Sequence, residues 1–267
     1  MDKSADNKAA CIGQMQTVLA GMAESAGVAA DGTDLLADQP LTIDQPGQPE
    51  ALSMVDPRAL ERRKLSTPAG RACFIHAIAH IEFNAINLAL DAVYRFRGLP
   101  ILFYRDWLQV AAEEAQHHQL LVARLKALGY GYGDFTVHNG LWDITRRTDH
   151  DLMSRMAIVP CVFEARGLDV TPPMIEKLKS IGDDESAAAL QQILDEEVHH
   201  VAIGLRWYRY ACKQRGLDVV DQFVTLVQMY LPGRRQGPFN VEKRKLAGFT
   251  DEWIARLQQL DQGRTRL

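Results

Sequence analysis

The feature that most restricts the fold of this chain is a short pattern that occurs twice. Residues 113–118 read Glu-Glu-Ala-Gln-His-His, and residues 196–201 read Glu-Glu-Val-His-His-Val. Aligning the glutamate pairs gives one Glu-x-x-His in each copy, Glu114 with His117 and Glu197 with His200. Both copies lie inside long runs of good helix formers. On a helix, residues three apart occupy neighbouring points of one face, so each copy offers a carboxylate and an imidazole to a single metal ion.

The helix faces show which side of each copy points inward. Glu114 shares its stripe with Trp107, Val110, Ala111, Leu121 and Leu125, and Glu197 shares its own with Leu190, Ile193, Leu194, Val201, Gly204 and Tyr208. Both stripes are apolar. The competing pair, Glu196 with His199, lies with Gln192 and Arg206 on a polar face and is the fallback reading. Two more long helical stretches each carry a glutamate in an apolar stripe: Glu82 among Ile75, Ala79, Ile86 and Ala89, and Glu164 among Met153, Met156, Ala157, Cys161 and Leu168. Glu82 precedes Glu114 by 32 residues, and Glu164 precedes Glu197 by 33. The chain reads as two helical hairpins of one plan, a Glu followed by a Glu-x-x-His.

Four ionised carboxylates facing one core would cost several kcal/mol each if left uncompensated. No Lys or Arg occurs in these stripes. Two divalent cations would neutralise Glu82, Glu114, Glu164 and Glu197, with His117 and His200 as neutral ligands. This is the ligand set of di-iron and di-manganese carboxylate bundles. Mixed carboxylate and imidazole ligation without thiolates suits two iron ions, with manganese as the alternative, better than structural zinc. His76 and His80 lie about 120–160° around the helix from Glu82, so hydrogen bonding or support behind the ligands suits them better than ligation. His118 and His199 are read as flank or surface residues, and Trp107, Trp207, Tyr104 and Tyr208 as core aromatics.

Helical spacing predicts long helices over 72–96, 104–128, 151–166 and 184–214. Shorter ones are expected at 9–26, 171–180, 219–230 and 250–262. Residues 27–70 form an irregular arm with a short helix near 57–64, and 129–148 and 231–248 read as loops. No stretch alternates like a strand. The expected fold is therefore all-α: a four-helix bundle at 71–216 with one long crossover, an N-terminal helix and arm at 1–70, and a helical extension at 217–267. Pro160, four residues before Glu164, should kink or locally unwind its helix, which either re-aims that glutamate or merely fits the helix to the bundle.

Charge and cysteine usage narrow the partners. The 34 acidic and 30 basic residues give a net charge of −4, too balanced for a broad electrostatic grip on nucleic acid or anionic lipid. The excess of acids equals the number of interior carboxylates. Arg234-Arg235 and Lys243-Arg244-Lys245 form a basic C-terminal patch that could hold an anionic substrate. The four cysteines are far apart, without a CxxC pair, and suit a reducing compartment. With a polar N-terminus and no 18-residue apolar run, the expectation is a cytoplasmic protein with no membrane span.

The stretches RACFIHAIAHIEFNAINLALDA, FYRDWLQVAAEEAQHHQLL, LGYGYGDF, MAIVPCVFEARGLDVTP, DEEVHHVAIGLRW and GPFN, in this order over residues 56–250, resemble the DUF455 family of bacterial ferritin-like proteins. The resemblance implies a ferritin-like four-helix bundle with a di-iron-type site at Glu82, Glu114, His117, Glu164, Glu197 and His200. The family usually has a small residue where this chain has His199, which favours His200 as the ligand. The fold is similar to that of the di-iron tRNA hydroxylases.

The function expected from residues and resemblance is an O₂- or peroxide-dependent oxidoreductase or hydroxylase, acting on a small molecule or a modified nucleoside. A homodimer is compatible with it. Iron handling, peroxide detoxification and a purely structural metal-bound bundle are the rivals.

Overall fold

The computed structural model describes residues 5–25, 39–60, 64–233 and 237–263. Among them every regular element is helical and there are no strands, only an isolated bridge between Met54 and Val137. The chain divides into two compact units, Met1–Arg146 and Arg147–Leu267.

The first unit is built on a hairpin of α2 (Pro68–Arg95) and α3 (Ile101–Ala127). Thr67 opens α2 by accepting the Gly70 N–H at 3.1 Å, with Pro68 in the first turn where a missing N–H costs nothing. The two helices pack along Ile75, Ala79, Phe83, Ile86 and Ala89 of α2 and Trp107, Leu108, Val110, Ala111 and Leu121 of α3, all buried. Helix α1 (Ala5–Ser25) lies on α3. It is held by Gln16 donating to the Leu108 carbonyl at 3.1 Å. Lys8 bonds the Gly47 carbonyl at 2.7 Å, also reaches Asn87, and stands 4.3 Å from the Phe83 ring centroid.

By length and composition α2 is apolar enough to cross a membrane, and 67% of that window is buried inside the protein. It also carries His76, His80, Glu82, Asn84 and Asn87, all buried. Its apolar surface is therefore used for interior packing.

The second unit is a hairpin of a composite helix with α7 (Asp184–Gln214). The composite helix starts as α5 (Leu152–Ile158), passes through a π turn at Val159–Glu164 and continues as α6 (Ala165–Ser180). Sequence spacing places a stop at Gly167 and a new helix at Thr171. Instead α6 runs through Gly167, Pro172 and Pro173. A glycine and interior prolines cost about 1 and 3 kcal/mol apiece, but burial of Leu168, Ile175 and Leu178 offsets this.

Helix α8 (Val219–Tyr230), α9 (Val241–Leu246) and α10 (Asp251–Gly263) follow. Trp253 is the centre of their core, with ring centroids of Phe223 at 4.9 Å, Phe249 at 5.1 Å and Tyr208 at 5.7 Å.

The connections differ from their expected form. Among the described residues of the arm there is a 3₁₀ turn at Pro57–Ala59, and 27–38 and 61–63 lie outside the described residues. Residues 129–148, read as a loop, contain α4 (Gly140–Arg147), whose Trp142, Ile144 and Thr145 are buried. Residues 231–248 contain α9, and Arg234 and Arg235 lie outside the described residues.

Candidate metal centre

In the first unit, Glu82 comes from the middle of α2, and Glu114 and His117 from one face of α3. Glu82 is 5% exposed, Glu114 0% and His117 1%. One ligand atom from each lies within 4.8 Å of the others. The Nδ1 of His117 faces both carboxylates, at 3.3 Å from Glu82 Oε2 and 3.4 Å from Glu114 Oε2. Burial disfavours a charged Glu82, and the Glu114 charge adds to this, so its pKa is pushed up to about 7. Burial pulls His117 the other way. Hydrogen bonds and charge from Glu114 and Glu82 outweigh it and hold the imidazolium up to about 11. Two carboxylates thus enclose a positive charge at Nδ1. A divalent cation placed there meets the same electrostatic demand with two charges instead of one. This buried Glu, Glu and His group could hold a metal ion.

In the second unit, Glu197 and His200 project from one face of α7. The His200 Nδ1 lies 3.4 Å from Glu197 Oε1, with His200 fully buried and the Glu197 side chain 12% exposed. The other carboxylate oxygen, Glu197 Oε2, is buried and has no hydrogen-bond partner among the described residues. Such an oxygen costs several kcal/mol unless a cation or donor meets it. The donor set and this oxygen fit a hard or borderline divalent metal.

Glu164 closes the π turn and is half-buried. A straight α count from Met153 to Leu168, the basis for its expected stripe, is broken by the wider turn. Of the fallback residues, His199 is exposed and Glu196 accepts from Gln192 at 3.3 Å on the outer side of α7.

His76 and His80 are buried and engaged in hydrogen bonds on α2. The Gly133 N–H donates to His76 Nε2 at 2.9 Å. His80 Nδ1 lies 2.9 Å from the Tyr132 hydroxyl and its Nε2 3.2 Å from the His138 carbonyl. Burial holds both rings down to about 4, so they are neutral near pH 7. A neutral His80 protonated on Nε2 donates to the carbonyl and accepts the Tyr132 proton.

His118 is not a flank residue. It is buried, with Nδ1 3.0 Å from the Ala79 carbonyl and its ring 4.7 Å from that of Tyr132. Tyr132 is therefore the hub of three histidines, a role that residue-by-residue reading missed. The signal is the repeated Gly-Tyr of residues 129–133. Gly133 has φ +118°, a conformation costly for other residues, and so brings its N–H to His76.

The basic patch is also rearranged. Arg244 is 2% exposed and pairs with Asp169 at 2.7 Å, while Lys243 pairs with Asp195 at 3.0 Å and Lys245 with Asp251 at 2.9 Å. Asp169 also accepts the Asn240 N–H at 2.9 Å, so the Arg244 pair clamps the 237–240 loop onto α6. Arg244 is thus an interior residue of the unit, while the Lys243 and Lys245 pairs lie at its surface.

Among the described residues the molecule is thus an all-helical protein with a buried carboxylate–imidazole group that could hold a metal ion. The chain is a member of the family described as "Protein of unknown function (DUF455)", whose model matches residues 3–255. It is similar to an uncharacterized protein of Haemophilus influenzae, 44% identical over 221 residues, which make up 79% of this chain and 77% of that one. No solved structure matches the chain.

Proposed function

We propose that the chain is a ferritin-like protein with a dinuclear non-haem metal centre. The protein would be an O₂- or peroxide-dependent oxidoreductase or hydroxylase. The observation that carries this reading is the buried Glu82–Glu114–His117 group, with the same Glu-x-x-His repeated on α7 beside a carboxylate oxygen that has no hydrogen-bond partner among the described residues. Glu114 with His117 would hold one ion and Glu197 with His200 the other, and Glu82 and Glu164 would be the further carboxylates of the ligand set. Two iron ions there, or manganese, would supply the redox chemistry that activates O₂ or peroxide beside a substrate C–H bond.

The chain's own residues have separable tasks. The glutamates would neutralise the ions, and the His117 Nδ1 would release its proton as metal enters. The apolar stripes around Glu82 and Glu114 exclude water, which strengthens every charge interaction inside. Substrate would be a small molecule or a modified nucleoside. All four thiols are free, which suits a reducing, cytoplasmic setting.

Anaerobic Fe(II) titration followed by O₂ exposure tests the proposal. Binding of about two irons per chain and oxidation on exposure to O₂ support it. No iron uptake, or uptake without oxidation, overturns it. Iron released or mineralised by a large shell-like assembly would favour the iron-handling rival.

A further inference from the structure

The π turn at Val159–Glu164 has two causes in the sequence. In an α register, the N–H of residue 160 would bond the carbonyl of Met156, but residue 160 is proline and has no N–H. Ahead of the turn the register is α, with the Val159 N–H on the Arg155 carbonyl. At its end the register is wider, with the Ala165 N–H shared between the Pro160 carbonyl, five residues back, and the Val162 carbonyl. One residue has been inserted into the ladder.

The second cause is Gly204 on α7. A Cβ at Gly204 would stand 2.3 Å from Pro160 Cβ and 2.5 Å from Cγ. No side chain fits there, and a pyrrolidine ring cannot swing aside as a long flexible chain can. Pro160 is therefore wedged into a notch on α7 that only glycine provides.

The position of that notch gives the contact its meaning. Gly204 lies four residues after His200 and seven after Glu197, on the same stripe of α7 and about 6 Å along the axis from His200. The π turn is thus anchored against the stripe that presents the metal-type residues. Glu164, at its end, takes its direction from that anchor. Reverting to an α register would turn Glu164 by most of one residue step, about 100°.

We propose that Pro160 and Gly204 are positioning residues: the proline wedged into the glycine notch enforces the π register and thereby aims the Glu164 carboxylate at the metal centre. The inference rests on the proposed reading of Glu164, Glu197 and His200 as metal ligands.

Cobalt(II) titration of the full-length, metal-free chain tests it, with the visible d–d bands as the record of ligand geometry and thermal melting as the record of folding. Pro160→Ala restores the missing N–H and empties the notch. The expected result is a cobalt affinity at least ten-fold weaker for one of the two equivalents, with shifted bands, and a melting temperature equal to or above that of the parent. The double variant Pro160→Ala/Gly204→Ala, in which the added methyl has room, should behave like Pro160→Ala. Glu164→Gln should show a comparable loss.

If Pro160→Ala binds cobalt within two-fold of the parent with unchanged bands while Glu164→Gln is weakened, Glu164 is a ligand that the π turn does not aim, and the inference is overturned. If Glu164→Gln is also unchanged, Glu164 is not a ligand, and both the assignment and the inference fall.

Discussion

At the scale of single residues, the charge balance around His117 determines how metal enters. Its Nδ1 lies 3.3 Å from Glu82 and 3.4 Å from Glu114, and these carboxylates keep the ring protonated up to about pH 11. A cation must therefore displace that proton. Metal affinity should rise as pH increases from 7 to 9, by about ten-fold per unit for each proton released. Calorimetric titration in buffers of different ionisation enthalpy should show net proton release, and pH-independent uptake would contradict the assignment. Below pH 7 Glu82 is also protonated, since its pKa lies near 7, and the dependence should steepen. Replacing Glu114 and Glu197 together by Ala should abolish metal binding without unfolding the chain, because uncompensated buried charge leaves with the metal. Elemental analysis and circular dichroism would check both halves of this prediction.

At the scale of elements, two docked connections make their own predictions. The 129–140 segment is tied to α2 through the neutral rings of His76 and His80, both with pKa values near 4. In the unfolded chain these rings titrate near 6.5, so between about pH 6.5 and 4 the unfolded state binds more protons. Their contribution to stability is complete above pH 6.5 and is lost as pH falls through that window, on the order of 2–3 kcal/mol for each ring. Urea unfolding of the metal-free chain at pH 7.5 and 5 should show the loss, and His80→Gln should reduce it. The 237–240 loop depends on Asp169 and Arg244, a pair almost wholly removed from water. Asp169→Ala leaves the guanidinium buried without its carboxylate and should cost about 3–5 kcal/mol, read from the denaturation midpoint.

At the scale of the whole molecule, the all-helical architecture was legible from spacing, because an apolar stripe every three to four residues is a local property. The inward faces of α3 and α7 were legible for the same reason. Four features were not. The α6 helix passes through Gly167, Pro172 and Pro173 because burial outweighs propensity. Helix α4 forms in a Gly- and aromatic-rich stretch where Trp142 finds the core, its indole N–H on the Asp44 carbonyl at 3.2 Å. Lys243, Arg244 and Lys245 read as a basic patch, but each has its own acid, for Lys243 and Arg244 at a distant position. His118, read as a flank residue, is buried in ring contact with Tyr132. A native mass of monomer or dimer is the expected outcome for an oxidoreductase, checked by light scattering, whereas a shell of many chains would favour iron storage.

By itself the sequence determined the helical class and the two Glu-x-x-His faces. Each follows from residues within a few turns of one another, where helix geometry relates position to direction. Only the tertiary structure decided that His117 lies between two carboxylates, that three histidines meet at Tyr132, and that Pro160 finds a glycine notch beside the α7 stripe. Those outcomes depend on which surfaces meet across long separations in the chain. Packing and buried charge select them, and local spacing does not encode either.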